Sequence, residues 1–139
     1  MLPSGLPEQI ADGEDLARFL TQSSQFNTTM VKPSAFLPNP NDHETSVFRH
    51  GREPSLQLWD IGREAAGATR KLYGAAIFKA KSVRAAHVEV HADEPPLRHA
   101  VIRGWPWMEN DPELQKAKQK EIAALIASEA GCMSVNVGL

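Results

Sequence analysis

The chain has 139 residues, 42% of them hydrophobic and 23% charged, with a formal charge of −2. That is the composition of one ordinary globular domain, and it excludes global disorder, whole-chain polycations and acidic tails. Cys132 is the only cysteine, so an internal disulfide framework is excluded and a reducing compartment is expected. No apolar run approaches the roughly 20 residues that span a bilayer, and the opening residues lack the basic start and apolar stretch of a signal peptide. The expectation is a cytoplasmic protein without a membrane segment.

Residues 1–13, with Pro3 and Pro7, read as a loose lead-in, and 14–139 as a single domain. Leu16, Phe19 and Leu20 fall at i, i+3 and i+4, which predicts a first helix capped by Asp12 or Asp15 and stopping in the polar cluster Thr21–Ser24. Pro33, Pro38 and Pro40 punctuate an extended stretch over 31–45, with a short edge strand near Ser34–Leu37. Ser46–Arg49 is a strand ended by His50 and Gly51. A second helix starts with Pro54 in its first turn and buries Leu58, Trp59, Gly62, Ala65 and Ala66. Glycine costs a helix about 1 kcal/mol relative to alanine, so close packing is the expected reason for Gly62 and Gly67.

Leu72–Ala80 reads as a strand with Ala76, Phe78 and Ala80 on one face. A helical turn at Ser82–Ala86 leads into a short strand around Val88–Val90. After the corner Glu94-Pro95-Pro96 comes a strand over Ala100–Arg103, closed by Gly104. The last helix carries the clearest signals, with Asp111 as cap, Pro112 as first residue and Gly131 just past the end. Leu114, Ala117, Ile122, Leu125 and Ile126 supply its apolar stripe, and Met133–Val137 has the pattern of a last strand. Regular βα units are too few for a doubly wound sheet. The fold class is therefore α+β: a mixed or antiparallel sheet packed by two or three helices, the longest C-terminal.

Several segments carry chemistry. Arg49-His50-Gly51 follows an apolar strand, as the RHG triplet of histidine phosphatases does, where the histidine accepts the phosphoryl group and the arginine holds it. Here the triplet stands at residue 49, and no second histidine precedes a glycine as that chemistry requires; His99 precedes Ala100. His87, Glu89 and His91 share a face if the segment is a strand, but the outer pair would then lie about 13 Å apart, too far to share one ion. No metal and no cofactor are expected. Asp93-Glu94-Pro95-Pro96-Leu97-Arg98-His99 is a stiffened turn with two carboxylates before it and an Arg-His pair after it, a suitable place for binding or acid–base groups.

Trp105 and Trp107 flank Pro106; one buried tryptophan and one half-exposed beside Met108 is the expectation. Six basic residues, Arg63, Arg70, Lys71, Lys79, Lys81 and Arg84, are opposed in sequence only by Glu64, which makes them the candidate surface for a nucleic acid. Cys132 has no flanking charge, which argues against a catalytic thiolate.

Two stretches look familiar in combination: Val31-Lys32-Pro33-Ser34-Ala35-Phe36-Leu37-Pro38 continuing to Thr45-Ser46-Val47-Phe48-Arg49, and Asp93 through Pro106. Together they resemble a group of short bacterial proteins with a KPxAFxP … SVFR … RHAxIxGWP pattern, over roughly residues 31–130. The resemblance implies an association with mobile elements and genomic islands, hence a mobile-element or defence locus as the expected setting, and carries no activity, cofactor or catalytic residue. It also implies that Arg49, Arg98, His99 and Trp105 belong to one constellation, and since two neighbouring arginines repel, Asp93, Glu94 or a bound anion is expected between them.

Two functions follow as expectations. The first is a binding or accessory protein with a protein or nucleic-acid partner, using Trp107, Met108 and the basic surface over 63–84. The second is a small hydrolase or transferase acting on a phosphate-containing or nucleotide substrate. There Arg49 and Arg98 would hold the anion, and His50 or His99 would be base or nucleophile.

Overall fold

The computed structural model describes residues 2–27, 30–50 and 55–135, and of Ser55 and Leu56 the backbone alone. The fold is α+β. Six strands, β1 (Asp15–Leu20), β2 (Thr45–Arg49), β3 (Gly74–Lys79), β4 (Glu89–Ala92), β5 (His99–Arg103) and β6 (Gly131–Ser134), form one sheet in the order β4-β5-β2-β1-β3-β6. Every neighbouring pair is antiparallel. Three helices pack on it: α1 (Ser55–Ala66), α2 (Ala80–Ala85) and α3 (Pro112–Ser128).

Alternation along the strands divides the core into two clusters, one on each sheet face. On the first face Leu16, Leu20, Val47, Phe78 and Ile102 meet α2 and α3 through Val83, Ala123 and Ile126. On the second, Ala17, Phe19, Phe48 and Ala75 meet α1 through Leu58 and Trp59. Gly62 of α1 is where that helix lies against the sheet: a Cβ there would come within 2.6 Å of the Phe19 ring. Close packing is the reason for this glycine, as its helical position implied. Ala65, by contrast, is exposed, and Pro54 lies outside the described residues.

The segment 15–20 is a strand, where its spacing predicts a helix. Leu16, Phe19 and Leu20 do fall at helical intervals, but Ala17 is also fully buried, and the run is apolar on both sides because β1 is central. The two acids that would cap a helix are engaged elsewhere: Asp12 pairs with Arg84 at 2.6 Å and Asp15 with Lys79 at 2.9 Å. The edge strand expected near Ser34–Leu37 is a 3₁₀ helix, Pro33–Phe36. Lys32 before the proline is extended, as expected, but Pro33 itself opens a turn in which Ala35 N–H donates to the Lys32 carbonyl at 3.0 Å.

In α3 the cap is as expected: the Asp111 carboxylate accepts from Leu114 N–H at 3.0 Å, with Pro112 next. The buried stripe is not. Gln119, Ala123, Ile126 and Ala127 face the core, Ile122 is half-buried, and Ala117, Leu114 and Leu125 point outward, the last 51% exposed. Small side chains at the contact let α3 lie close to the 3₁₀ helix of Ala35 and Phe36. Gln119 belongs to this face because its Nε2 donates to the Pro106 carbonyl at 2.9 Å. Gly131 is no helix stop but the first residue of β6; Glu129 is the C-cap. Of the expected last strand, residues 136 and 137 lie outside the described residues.

The opening segment has no regular element before Asp15, yet it is tied down: Ile10 is buried in the first-face cluster and Ser4 Oγ donates to Glu94. Among the described residues no helix is long and apolar enough to cross a membrane.

Candidate functional site

His99 opens β5, and Phe48 of β2 is its directly paired neighbour. Ser46 pairs with Val101, so Ser46 is the diagonal neighbour of His99 on the second face of the sheet. The Ser46 hydroxyl lies 2.7 Å from His99 Nε2. The other ring nitrogen, Nδ1, lies 2.9 Å from the Asp93 carbonyl and 3.2 Å from the Asp93 carboxylate. Both groups facing Nδ1 are acceptors, so in the neutral tautomer that these contacts select, Nδ1 carries the proton and Nε2 is the acceptor for the Ser46 hydroxyl. The three side chains thus stand in the relation of nucleophile, base and orienting carboxylate.

Local structure accounts for each position. The loop from Asp93 to Arg98 is closed by Asp93 N–H donating to the His99 carbonyl at 2.9 Å and His99 N–H donating to the Pro96 carbonyl at 3.0 Å. Arg98 takes a left-handed φ of 67° just before β5 begins, a conformation that costs a side-chain-bearing residue of order 1 kcal/mol. Its guanidinium holds that turn against β2, with Nη1 donating to the Arg49 and His50 carbonyls at 3.3 and 3.2 Å. The Phe48 ring packs against the His99 imidazole with centroids 5.2 Å apart and fixes its plane.

Ser46, Asp93 and His99 line a cleft of about 470 Å³ together with Arg18, Arg70 and Glu44. Arg18 is there because β1 and β2 part company: their ladder runs only through Leu16↔Arg49 and Ala17↔Phe48. Beyond it the Arg18 guanidinium enters the gap, Nη1 donating to the Ser46 carbonyl at 2.9 Å and Nε to the Ala35 carbonyl at 2.8 Å. Burial, and then the nearby Arg70 guanidinium, push the Arg18 pKa down to about 10, which still leaves it charged at neutral pH. Arg70 bonds the carbonyls that end α1, Nε to Ala66 at 3.1 Å and Nη2 to Ala65 at 2.8 Å. Neither arginine forms an ion pair among the described residues, whereas Glu44 of the same cleft is paired with Arg103 at 3.1 Å.

The expected constellation is divided by the sheet. Arg49 and Arg98 touch through their backbones, Arg49 N–H donating to the Arg98 carbonyl at 2.8 Å. The Arg49 side chain, however, points to the first face and is wholly buried, bonded to both Glu14 carboxylate oxygens at 2.5 and 2.7 Å and to the Pro7 carbonyl at 2.6 Å. Arg49 and His99 therefore lie on opposite faces. The carboxylate expected beside Arg49 is Glu14, not Asp93 or Glu94; Glu94 accepts from Ser4. Trp105 is buried in the first-face core, and Trp107 is half-buried, stacked on His43 at 3.4 Å between centroids. Among the described residues buried His50 Nδ1 has no hydrogen-bond partner, and residues 51–54 beside it lie outside them, so the RHG triplet is described only in part.

The other sequence features separate in space. His87 has a φ of 68° and sits in the turn before β4, off the strand face of Glu89 and His91. No cluster of three or more metal-binding side chains occurs among the described residues. Of the six basic residues of 63–84, three are paired with acids: Arg63 lies 3.8 Å from Asp60 one turn earlier in α1, Lys79 meets Asp15, and Arg84 meets Asp12 and, at 3.3 Å, Glu89. Lys71 sits 4.9 Å over the Tyr73 ring. The exposed Cys132 thiol is raised in pKa by partial desolvation and is protonated at neutral pH.

Sequence reasoning did not single out Ser46 or Arg18. Arg18 was hidden by the helix expected over its segment. Ser46 carried no local signal, because its relation to His99 is a strand register and not a spacing. Comparison with known proteins finds no matching family model, no matching curated protein and no matching solved structure, so the cleft's own geometry is the ground for any functional reading.

Proposed function

We propose that the chain is a small hydrolase or transferase in which Ser46 is the nucleophile, His99 its base and Asp93 the group that orients the base. The observation that carries this reading is the run of contacts from Ser46 Oγ through both ring nitrogens of His99 to Asp93, opening on a cleft. As Ser46 Oγ bonds to the carbonyl carbon of an ester, its proton passes to His99 Nε2, and Asp93 stabilises the resulting imidazolium. The same proton goes to the leaving oxygen as the C–O bond breaks. Water or an acceptor alcohol, giving a proton to Nε2, then takes the acyl group, and that proton passes to Ser46 Oγ as its bond to the acyl carbon breaks. Arg18, held on the Ser46 carbonyl, places positive charge beside the centre where negative charge develops.

The test is covalent labelling. An alkyl fluorophosphonate adds its phosphonyl group to an activated serine with loss of fluoride, and mass spectrometry of the digest should place the adduct on Ser46. Ser46→Ala should abolish the labelling, and His99→Ala should slow it by about 10²-fold or more, the scale of a lost general base. Absence of an adduct, or labelling indifferent to His99, overturns the reading.

A second reading is a binding or accessory protein, with the association to mobile elements or defence loci that the sequence pattern implies. It is favoured by the two arginines, which can hold an anion whether or not Ser46 reacts. A cleft that binds a phosphate-bearing partner without turnover is the outcome expected if labelling fails and binding persists.

A further inference from the structure

We infer that Arg18 and Arg70 form an anion subsite beside Ser46, shaped for the terminal phosphate monoester of a small substrate. The inference rests on the cleft being the functional site and names what that site takes.

Three observations carry it. A cavity of about 110 Å³ opens next to the main cleft and shares Arg18, Ser46 and Arg70 with it, so a group held there lies within the substrate's reach of the Ser46 hydroxyl. Both guanidiniums are pinned by main-chain carbonyls, Arg18 by Ala35 and Ser46 and Arg70 by Ala65 and Ala66. Each keeps one terminal nitrogen, Arg18 Nη2 and Arg70 Nη1, with no protein partner among the described residues. Their planes are thus fixed in advance, and binding need not order two long side chains. The third observation is the charge balance. Two cations line this cavity with no carboxylate, beside Phe19, Phe48 and Ala66, whose apolar surface strengthens an ionic contact.

Two like charges held together without a counter-ion are relieved by one compact anion of charge near −2, which is a phosphate monoester. The cavity admits a group of phosphate size and no nucleoside. The rest of the substrate must then run into the larger cleft, past Ser46 and His99. The structure of such a substrate is an acyl ester with a phosphate at one end.

The experiment measures inorganic phosphate and phenyl phosphate against dimethyl phosphate by calorimetry, at fixed ionic strength in chloride. Phosphate and phenyl phosphate should bind one to one, with dimethyl phosphate at least tenfold weaker. Arg70→Gln should weaken phenyl phosphate at least tenfold, with Arg70→Lys intermediate because lysine keeps the charge but not the fork. Phosphate binding at the two arginines needs no reaction at Ser46, so failure of the catalytic reading (no fluorophosphonate adduct) and failure of the subsite (no phosphate bound) are separate results. Equal binding of the diester overturns the terminal-phosphate assignment. Wild-type protein that takes up no phosphate, or an Arg70→Gln variant that binds as wild type does, overturns the subsite.

Discussion

Two places in the sheet treat arginine in opposite ways. On the face covered by α2 and α3, Arg49 is wholly buried, and its charge is met by both oxygens of Glu14. Arg18 starts from the same face, between Leu16 and Leu20 and opposite Ala76, but where β1 and β2 separate its guanidinium turns into the gap. Among the described residues it bonds only carbonyl groups, with Arg70 nearby and no carboxylate partner. A buried charge that is fully matched holds a fold in one arrangement and has nothing left to offer a ligand. A cation satisfied only by neutral acceptors keeps its net charge and attracts an anion. The difference separates a structural arginine from a binding one more clearly than burial alone.

Substitutions at the matched pair should give the largest effect. Glu14→Ala leaves Arg49 buried without its counter-charge, and denaturant unfolding should show a loss of about 3–5 kcal/mol. A loss below 1 kcal/mol would mean that Arg49 reaches water and that the contrast between the two arginines is false. On the same face, Ile126→Ala should cost about 2–5 kcal/mol because its side chain is fully buried, while Leu125→Ala, one residue away, should stay within about 0.5 kcal/mol. Equal midpoints for the two variants would put the phase of α3 in error. On the face that α1 covers, Gly62→Ala forces a methyl against Phe19, and thermal or chemical unfolding should register about 1–3 kcal/mol. Smallest of all should be the stability change in Arg70→Gln, under about 1 kcal/mol by the same measurement, since it removes only partly exposed bonds at a helix end. A large loss there would make Arg70 a second structural arginine.

How much of this was legible in the sequence depends on where the information lies. The α+β class, α3 with its Asp111-Pro112 start, β2, β3 and β5 were legible because local pattern and tertiary structure agree there. β1 was not, since an apolar run buried on both sides fits helical and strand periods alike; only the sheet order decides. The stripe of α3 is not legible from side-chain size, because the helix meets its neighbours through Ala123 and Ala127 and sends Leu114 and Leu125 outward. In the candidate site, His99 and Asp93 stood out as a polar pair flanking a proline turn. Ser46 did not, for its partner lies 53 residues away and is reached only through the β2–β5 register. Arg49 drew notice by its place next to His50, but alternation along the strand turned it to the other face.

The central place of β1 also bears on how the chain folds as it is made. It is the first of the six strands in sequence, yet it ends with partners on both edges and apolar layers on both faces. Its ladder to β3 joins Asp15 to Lys79, and α3, which closes one of those layers, follows later still. A nascent chain from which β3 has not yet emerged therefore leaves the β3-facing edge of Leu16–Leu20 unpaired, a template that other nascent chains can match. Such long-range pairing also makes folding slower than in a helical bundle of this length. Until β3 has emerged, keeping this one strand from pairing with the wrong neighbour falls to the cell's chaperones and not to the protein's own structure.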